Sequence, residues 1–206
     1  MAKIFFDFDG TLINSQRRLY DLFCELCPES QMSYDDYWKI KRNRINQKDF
    51  LKKYFAYDDE RIREFHRLWL QKIEEEERIA KDSPIKEMND VLIRLNRTHQ
   101  LYLITNRQDS SKVFRQLEQF GWKHLFKEVL VTRQKKSKQN LIKQTGCILP
   151  GDIFVSDTGE DIVAAKELGM ISIAVCWGVL NKNILLEYHP DFLFERPEDF
   201  DKCKII

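Results

Sequence analysis

"LYLITNRQDSSKVFRQLEQFGWKHLFKEVLVT", residues 101–132, places two strand-length apolar runs, LYLIT (101–105) and VLVT (129–132), around a helix-period segment that stops at Gly121. Both runs are apolar throughout instead of alternating, the pattern of parallel strands buried on both faces. Toward the C-terminus the pattern repeats. IFVS (153–156), ISIAV (171–175) and FLF (192–194) alternate with SKQNLIKQTG and GEDIVAAKELG, which end at Gly146 and Gly169. Glycine just past the last periodic residue is a common helix stop. Toward the N-terminus, KIFF (3–6) supplies one more strand. Strand alternating with helix predicts an α/β fold, a doubly wound parallel sheet (Rossmann-like) with helices on both faces.

Between KIFF and LYLIT the alternation fails. YDDYWKIKRNRINQKDFLKKYFAYDDERIREFHRLWLQKIEEEERI (34–79) has helical periodicity and holds no convincing strand. This is too much chain for one crossover helix. The expected organisation is a core of residues 1–14 and 83–206 with an inserted helical subdomain over 15–82. Asp82-Ser83-Pro84 is expected to open a helix, PIKEMNDVLIRLNRT, since proline suits a first helical position. The acidic run at 74–77 reads as a solvated helix face.

Composition narrows the classes of function. The 206 residues carry 34 Lys and Arg against 33 Asp and Glu, and the net charge of +1 argues against a dedicated nucleic-acid binder. No run approaches the length of a membrane-spanning helix, and the N-terminus reaches acidic residues too soon for a signal peptide, so a cytoplasmic protein without a membrane partner is expected. The five cysteines are dispersed and make no disulfide framework; Cys24 and Cys27 read as two small residues near a helix end.

In a doubly wound sheet, ligands bind beyond the C-terminal ends of the strands, where strand order reverses. The residues closing each strand therefore belong together. KIFF ends at Asp7 with Asp9 beyond, LYLIT at Thr105-Asn106, and IFVS at Ser156-Asp157 with Glu160 and Asp161 behind; RQKKSK follows VLVT. Two carboxylates as close as Asp7 and Asp9 raise each other's pKa unless a positive group sits among them. Carboxylate oxygens with a substrate phosphate make a hard, all-oxygen Mg²⁺ site. A lysine and a hydroxyl can stabilise a transferring phosphoryl group.

DFDGTL (7–12), ITN (104–106), a lysine of KKSK (135–138) and SDTGED (156–161) stand in this order at strand ends. In these four pieces the chain resembles the haloacid dehalogenase superfamily, in particular its phosphatases with a helical type 1 cap. The resemblance implies that Asp7 is a nucleophile forming an aspartyl-phosphate, and that Asp9 is the acid and then the base, which calls for a raised pKa. It implies that Thr105 and the Asn106 N–H hold the phosphoryl group. Asp7, the Asp9 carbonyl and Asp157 would bind Mg²⁺, with Asp161 ligating through water or orienting the site. Ser156 stands where the family commonly has Gly, a departure expected to change little. Lys135, Lys136 and Lys138 all compete for the lysine role; Ser137 as an N-cap favours Lys138.

The expected activity is Mg²⁺-dependent hydrolysis of a small phosphorylated metabolite by a monomer or homodimer. The Asp two residues past the nucleophile separates this from dehalogenase chemistry. A phosphomutase resembling β-phosphoglucomutase and a catalytically silent phospho-ligand scaffold stand as alternatives. A receiver domain shares the residue types but would carry its acceptor Asp at the third strand, which here closes on Thr132-Arg133. WKIKRNRINQKDFLKK (38–53) holds seven basic residues against one acid, Asp49. Lys41, Arg42 or Arg44 is expected to face the site and select an anionic leaving group, with Arg42 taken as substrate-binding.

Overall fold

A computed structural model describes residues 1–203 and 205–206. The sheet is built from β1 (Lys3–Phe6), β4 (Gln100–Thr105), β5 (Phe126–Val131), β6 (Ile153–Ser156), β7 (Ile171–Val175) and β8 (Phe192–Phe194). Its order is β5-β4-β1-β6-β7-β8, and every pairing is parallel. From β1 the chain builds outward through β4 and β5, then returns to β6 on the other side of β1. The reversal therefore lies at β1, between β4 and β6.

Alternate residues of these strands feed two cores. Ile4, Phe6, Leu101, Leu103, Ile153 and Val155 pack on Met88, Val91, Leu92 and Leu95 of α6 (Met88–Leu95) and on Val113 and Leu117 of α7 (Ser110–Gln119). Phe5, Tyr102, Ile104 and Phe154 face the other way, onto Leu141 and Ile142 of α8 (Lys138–Gln144) and Ala164 and Ala165 of α9 (Gly159–Glu167). This two-faced burial is why the strands read as unbroken apolar runs. A further helix, α10 (Lys182–Glu187), packs Leu185 against Ala174 of β7.

The segment after β1 is helical: α1 (Gln16–Leu26), α2 (Tyr34–Lys41), α3 (Gln47–Phe55), α4 (Asp59–Lys72) and α5 (Glu76–Ile79). Ser33, Asn46 and Asp58 cap α2, α3 and α4 by accepting from the N–H three residues on. The segment has its own core, with Phe23, Tyr37, Trp38, Phe50 and Phe65 at its centre. Its two ends leave and rejoin the sheet side by side, because β2 (Ile13–Asn14) pairs antiparallel with β3 (Ser83–Pro84).

That pairing corrects the expectation at Pro84. Instead of opening a helix, Ser83–Pro84 is a strand, Ile85 N–H donates to the Leu12 carbonyl at 2.9 Å, and α6 starts only at Met88, after Glu87 at φ 68°. The acidic run is also divided. Glu74 is buried, while Glu75 pairs with Arg78 at 2.9 Å.

Candidate active site

The ends of β1, β4 and β6 open on one cleft of about 370 Å³. Its floor includes Asp7, Asp9, Thr105, Asn106, Lys138 and Asp161, and its roof is Leu19, Trp69, Leu70, Ile73 and Glu74 of the helical segment. A volume of this order suits a small ligand.

Lys138 occupies the centre. Ser137 caps α8 by accepting from Asn140 N–H at 3.2 Å, which sets Lys138 on the first turn facing the sheet. Its Nζ lies 2.7 Å from Asp7 Oδ1 and 2.6 Å from Asp161 Oδ2. Lys135 and Lys136 are exposed. Burial works against the charge on Lys138, but Asp161 and Asp7 outweigh it and lift its pKa above the usual lysine range. Asp7 is pushed up to about 8, chiefly by burial and then by Asp161 and Asp157, against the pull of Lys138. Thr105, nearly inaccessible, accepts from Arg107 N–H at 3.3 Å, and Thr132 Oγ1 donates to Asn106 Oδ1 at 3.2 Å.

Ser156 does more than fill a small space. Its hydroxyl donates to Asp161 Oδ2 at 2.7 Å and accepts Thr158 N–H at 3.2 Å, so it helps hold the carboxylate that holds Lys138.

Asp9 differs from expectation. Arg107 reaches it with Nε at 2.6 Å from Oδ2 and Nη2 at 2.7 Å from Oδ1, and Arg18 of α1 also binds Oδ1. Both arginines continue to Asp82, through Arg18 Nε at 2.9 Å and Arg107 Nη2 at 3.0 Å. Burial alone would raise the Asp9 pKa; Arg107 and Arg18 reverse this and hold it well below the ordinary carboxylate range. Arg18 and Arg107 carry no expectation from the sequence, although Arg107 directly follows ITN and Arg18 closes SQRR, and Asp82 is expected there only at a helix start. Glu74 is a second unforeseen contact. Its carboxylate accepts Gln108 N–H at 2.7 Å and Asp109 N–H at 3.0 Å, tying the helical segment to the start of α7.

The basic stretch lies elsewhere. Among the described residues, the cleft lining includes neither Lys41, Arg42 nor Arg44. Lys41 donates to Ile45 O at 3.0 Å, and Arg44 stacks over Tyr188 at 4.7 Å from the ring centre. Arg42, expected to bind substrate, instead donates to Gly178 O from Nη2 at 2.9 Å, since the end of α2 abuts the turn after β7.

Asp157 is fully buried behind the cleft. Thr11 Oγ1 donates to its Oδ1 at 3.1 Å and Val179 N–H to its Oδ2 at 2.6 Å. Burial pushes its pKa up to about 6. A Cβ on Gly10 would stand 2.2 Å from Asp157 Oδ2, and Gly10 has φ +83°, so the bend of DFDG admits only glycine without rearrangement. Asp7 and Asp161 thus share a single ammonium, and Asp157, buried beside them, has no cationic partner of its own among the described residues. Their oxygen donors and surplus negative charge fit a hard divalent cation. No three His, Cys, Asp or Glu side chains among the described residues are already gathered around one point. Lys138 stands between Asp7 and Asp161, and Thr11 and Val179 occupy the oxygens of Asp157.

Residues 4–175 match the haloacid dehalogenase-like hydrolase family. A phosphoglycolate phosphatase of Synechococcus elongatus is 28% identical over 101 residues, a match that spans 47% of this chain and 47% of that relative. Among solved structures, a haloacid dehalogenase-like hydrolase from Streptococcus pneumoniae superposes with a TM-score of 0.81 at 22% identity, covering 98% of this chain and 97% of that one. A predicted phosphoglycolate phosphatase from Haemophilus somnus superposes with a TM-score of 0.74 at 22% identity, again over 98% and 97% of the two chains. Among the described residues, no helix is long and apolar enough to cross a membrane. With its four sequence pieces drawn to one sheet edge and the family match running from β1 through β7, the chain belongs to the haloacid dehalogenase-like hydrolases.

Proposed function

We propose that the protein hydrolyses a small phosphate monoester through an aspartyl-phosphate on Asp7. The observation that carries this reading is Lys138 Nζ held between Asp7 and Asp161 at the C-terminal edge of β1, beside Thr105 and Asn106. An Asp7 oxygen attacks phosphorus, the P–O bond to the leaving group breaks, and the phosphoryl group is left on Asp7. Lys138, the Thr105 hydroxyl and the Asn106 N–H bind its equatorial oxygens, where charge accumulates. Asp9 handles the protons. Ionised beside Arg107 and Arg18, it has a free lone pair for a proton from the water that attacks the phospho-Asp7 phosphorus, but the two guanidiniums weaken it as a base. To protonate a leaving alkoxide it must first acquire a proton against those two guanidiniums. Asp7, Asp157 and the Asp9 carbonyl would hold Mg²⁺, with Asp161 orienting the site. The metal would supply charge neutralisation among these carboxylates and on the phosphoryl oxygens.

The apolar roof of Leu19, Trp69, Leu70 and Ile73 limits the leaving group to a small one. Because a curated relative is described as a phosphoglycolate phosphatase and a structural neighbour as a predicted one, phosphoglycolate heads the list of substrates to try. The test is a panel of phosphate esters assayed with Mg²⁺ and with excess chelator. Release of phosphate that needs Mg²⁺ and disappears in Asp7→Asn supports the reading. Turnover that survives either change contradicts it.

A further inference from the structure

Arg42 is half-buried on the helical segment, outside the cleft, and yet it is joined to Asp157 through one short turn. The turn after β7, residues 176–181, is gripped from the helical side at several points. Gly178 O accepts from Arg42 Nη2 at 2.9 Å, Arg42 Nε at 3.3 Å and Gln16 Nε2 at 3.2 Å. Arg42 Nη2 also reaches Cys176 O at 3.5 Å. In return the Arg42 carbonyl accepts Asn181 N–H at 3.1 Å and Asn181 Nδ2 at 3.0 Å. The next residue along the gripped turn, Val179, donates its N–H to Asp157 Oδ2 at 2.6 Å. Trp177 Nε1 donates to the Thr11 carbonyl at 3.0 Å, and the Thr11 hydroxyl donates to the other oxygen of Asp157. The turn lies directly on this carboxylate, for a Cβ on Gly178 would stand 2.2 Å from both Asp157 Cβ and Oδ2.

We propose that Arg42 is a positioning residue for Mg²⁺ binding: from the helical segment it fixes the Gly178 carbonyl, and thereby the Val179 N–H that orients Asp157. The inference rests on the reading of Asp157 as a metal ligand and extends it to a residue that touches neither metal nor substrate. Groups that hydrogen-bond a ligating carboxylate set its direction, and their loss commonly weakens metal binding by about 10–100-fold. Arg42 acts one link further out, through a planar fork that grips two carbonyls in a fixed geometry a lysine does not reproduce. Seating of the helical segment on the core and presentation of Asp157 to the metal are therefore one coupled arrangement.

Isothermal titration calorimetry with Mg²⁺ alone, on the full chain without phosphate ester, tests this. Arg42→Ala is expected to bind Mg²⁺ about tenfold more weakly, at the low end of the range for orienting groups. Arg42→Lys is expected to remain weakened, and Gln16→Ala to be weakened by less. At saturating Mg²⁺, the kcat and KM of Arg42→Ala are expected to return to wild-type values, which a general loosening of the fold would not allow. Asp157→Asn, with its metal binding lost, is the control. If Asp157→Asn fails to bind Mg²⁺ while Arg42→Ala binds as wild type, the inference is overturned and the metal reading stands. If Asp157→Asn binds Mg²⁺ as wild type, the metal reading falls and the inference with it. A KM for phosphate ester that stays raised in Arg42→Ala at saturating Mg²⁺ makes Arg42 a substrate contact and overturns the inference. Should circular dichroism show Arg42→Ala unfolded, Gln16→Ala decides, and an unchanged Mg²⁺ affinity there overturns the inference.

Discussion

Two residues of opposite charge organise the cleft, and each is balanced differently. Lys138 is one cation shared by two carboxylates, so removing it leaves Asp7 and Asp161 to repel each other and, on the proposed mechanism, takes away a phosphoryl contact. Lys138→Met is expected to lower kcat by on the order of 10²-fold or more, the scale for one transition-state contact. Lys135→Ala and Lys136→Ala, both at exposed positions, are expected to stay near wild type in the same steady-state assay. Asp9 is one carboxylate shared by two guanidiniums that also share Asp82, whose side chain is wholly inaccessible. Breaking such a buried network from one side leaves an uncompensated charge and typically costs about 3–5 kcal/mol. Asp82→Ala is therefore expected to lower the urea midpoint sharply, with the loss in stability read directly from the denaturation curve. DFDGTL, ITN and SDTGED were legible because each is a short local pattern. The guanidinium clamp was not, since Arg107 meets Asp9 across 98 residues of sequence and only the fold brings them together.

At the scale of elements, the helical segment is fastened to the core on two sides. One fastening is Arg42 on the turn after β7; the other is Glu74 beneath the N-terminus of α7. A carboxylate accepting two backbone N–H groups at a helix start is favoured by both hydrogen bonding and the helix dipole. Glu74→Ala is expected to speed hydrogen exchange at the Gln108 and Asp109 amides and to raise KM for the best phosphate ester. Unchanged exchange at both amides would show that Glu74 does not hold the roof down. The alternation of strand and helix was readable because apolar period and glycine stops are strong local signals. The acidic run at 74–77 was not readable position by position. Composition assigns all four glutamates to solvent, while the turn between α4 and α5 aims only Glu74 at unsatisfied N–H groups of the core. Pro84 failed for a related reason. Its missing N–H suits a helix start, but it suits equally a short strand, and pairing with Ile13 decided between them.

Across the whole molecule, the order β5-β4-β1-β6-β7-β8 brings Asp7, Thr105 and Asp157 to adjacent strand ends, and the helical segment covers that edge with Leu19, Trp69, Leu70 and Ile73. In the proposed mechanism Asp7 carries the phosphoryl group during turnover. Rapid mixing with a turned-over phosphate ester, quenching, and borohydride reduction convert an acyl-phosphate to an alcohol at the residue that bore it. Peptide mass spectrometry then locates the change. The expected result is Asp7 converted to homoserine in the peptide containing FFDFDGTL, and no conversion in Asp7→Asn. Full turnover with no reduced residue, or with reduction at another carboxylate, would contradict an aspartyl-phosphate on Asp7.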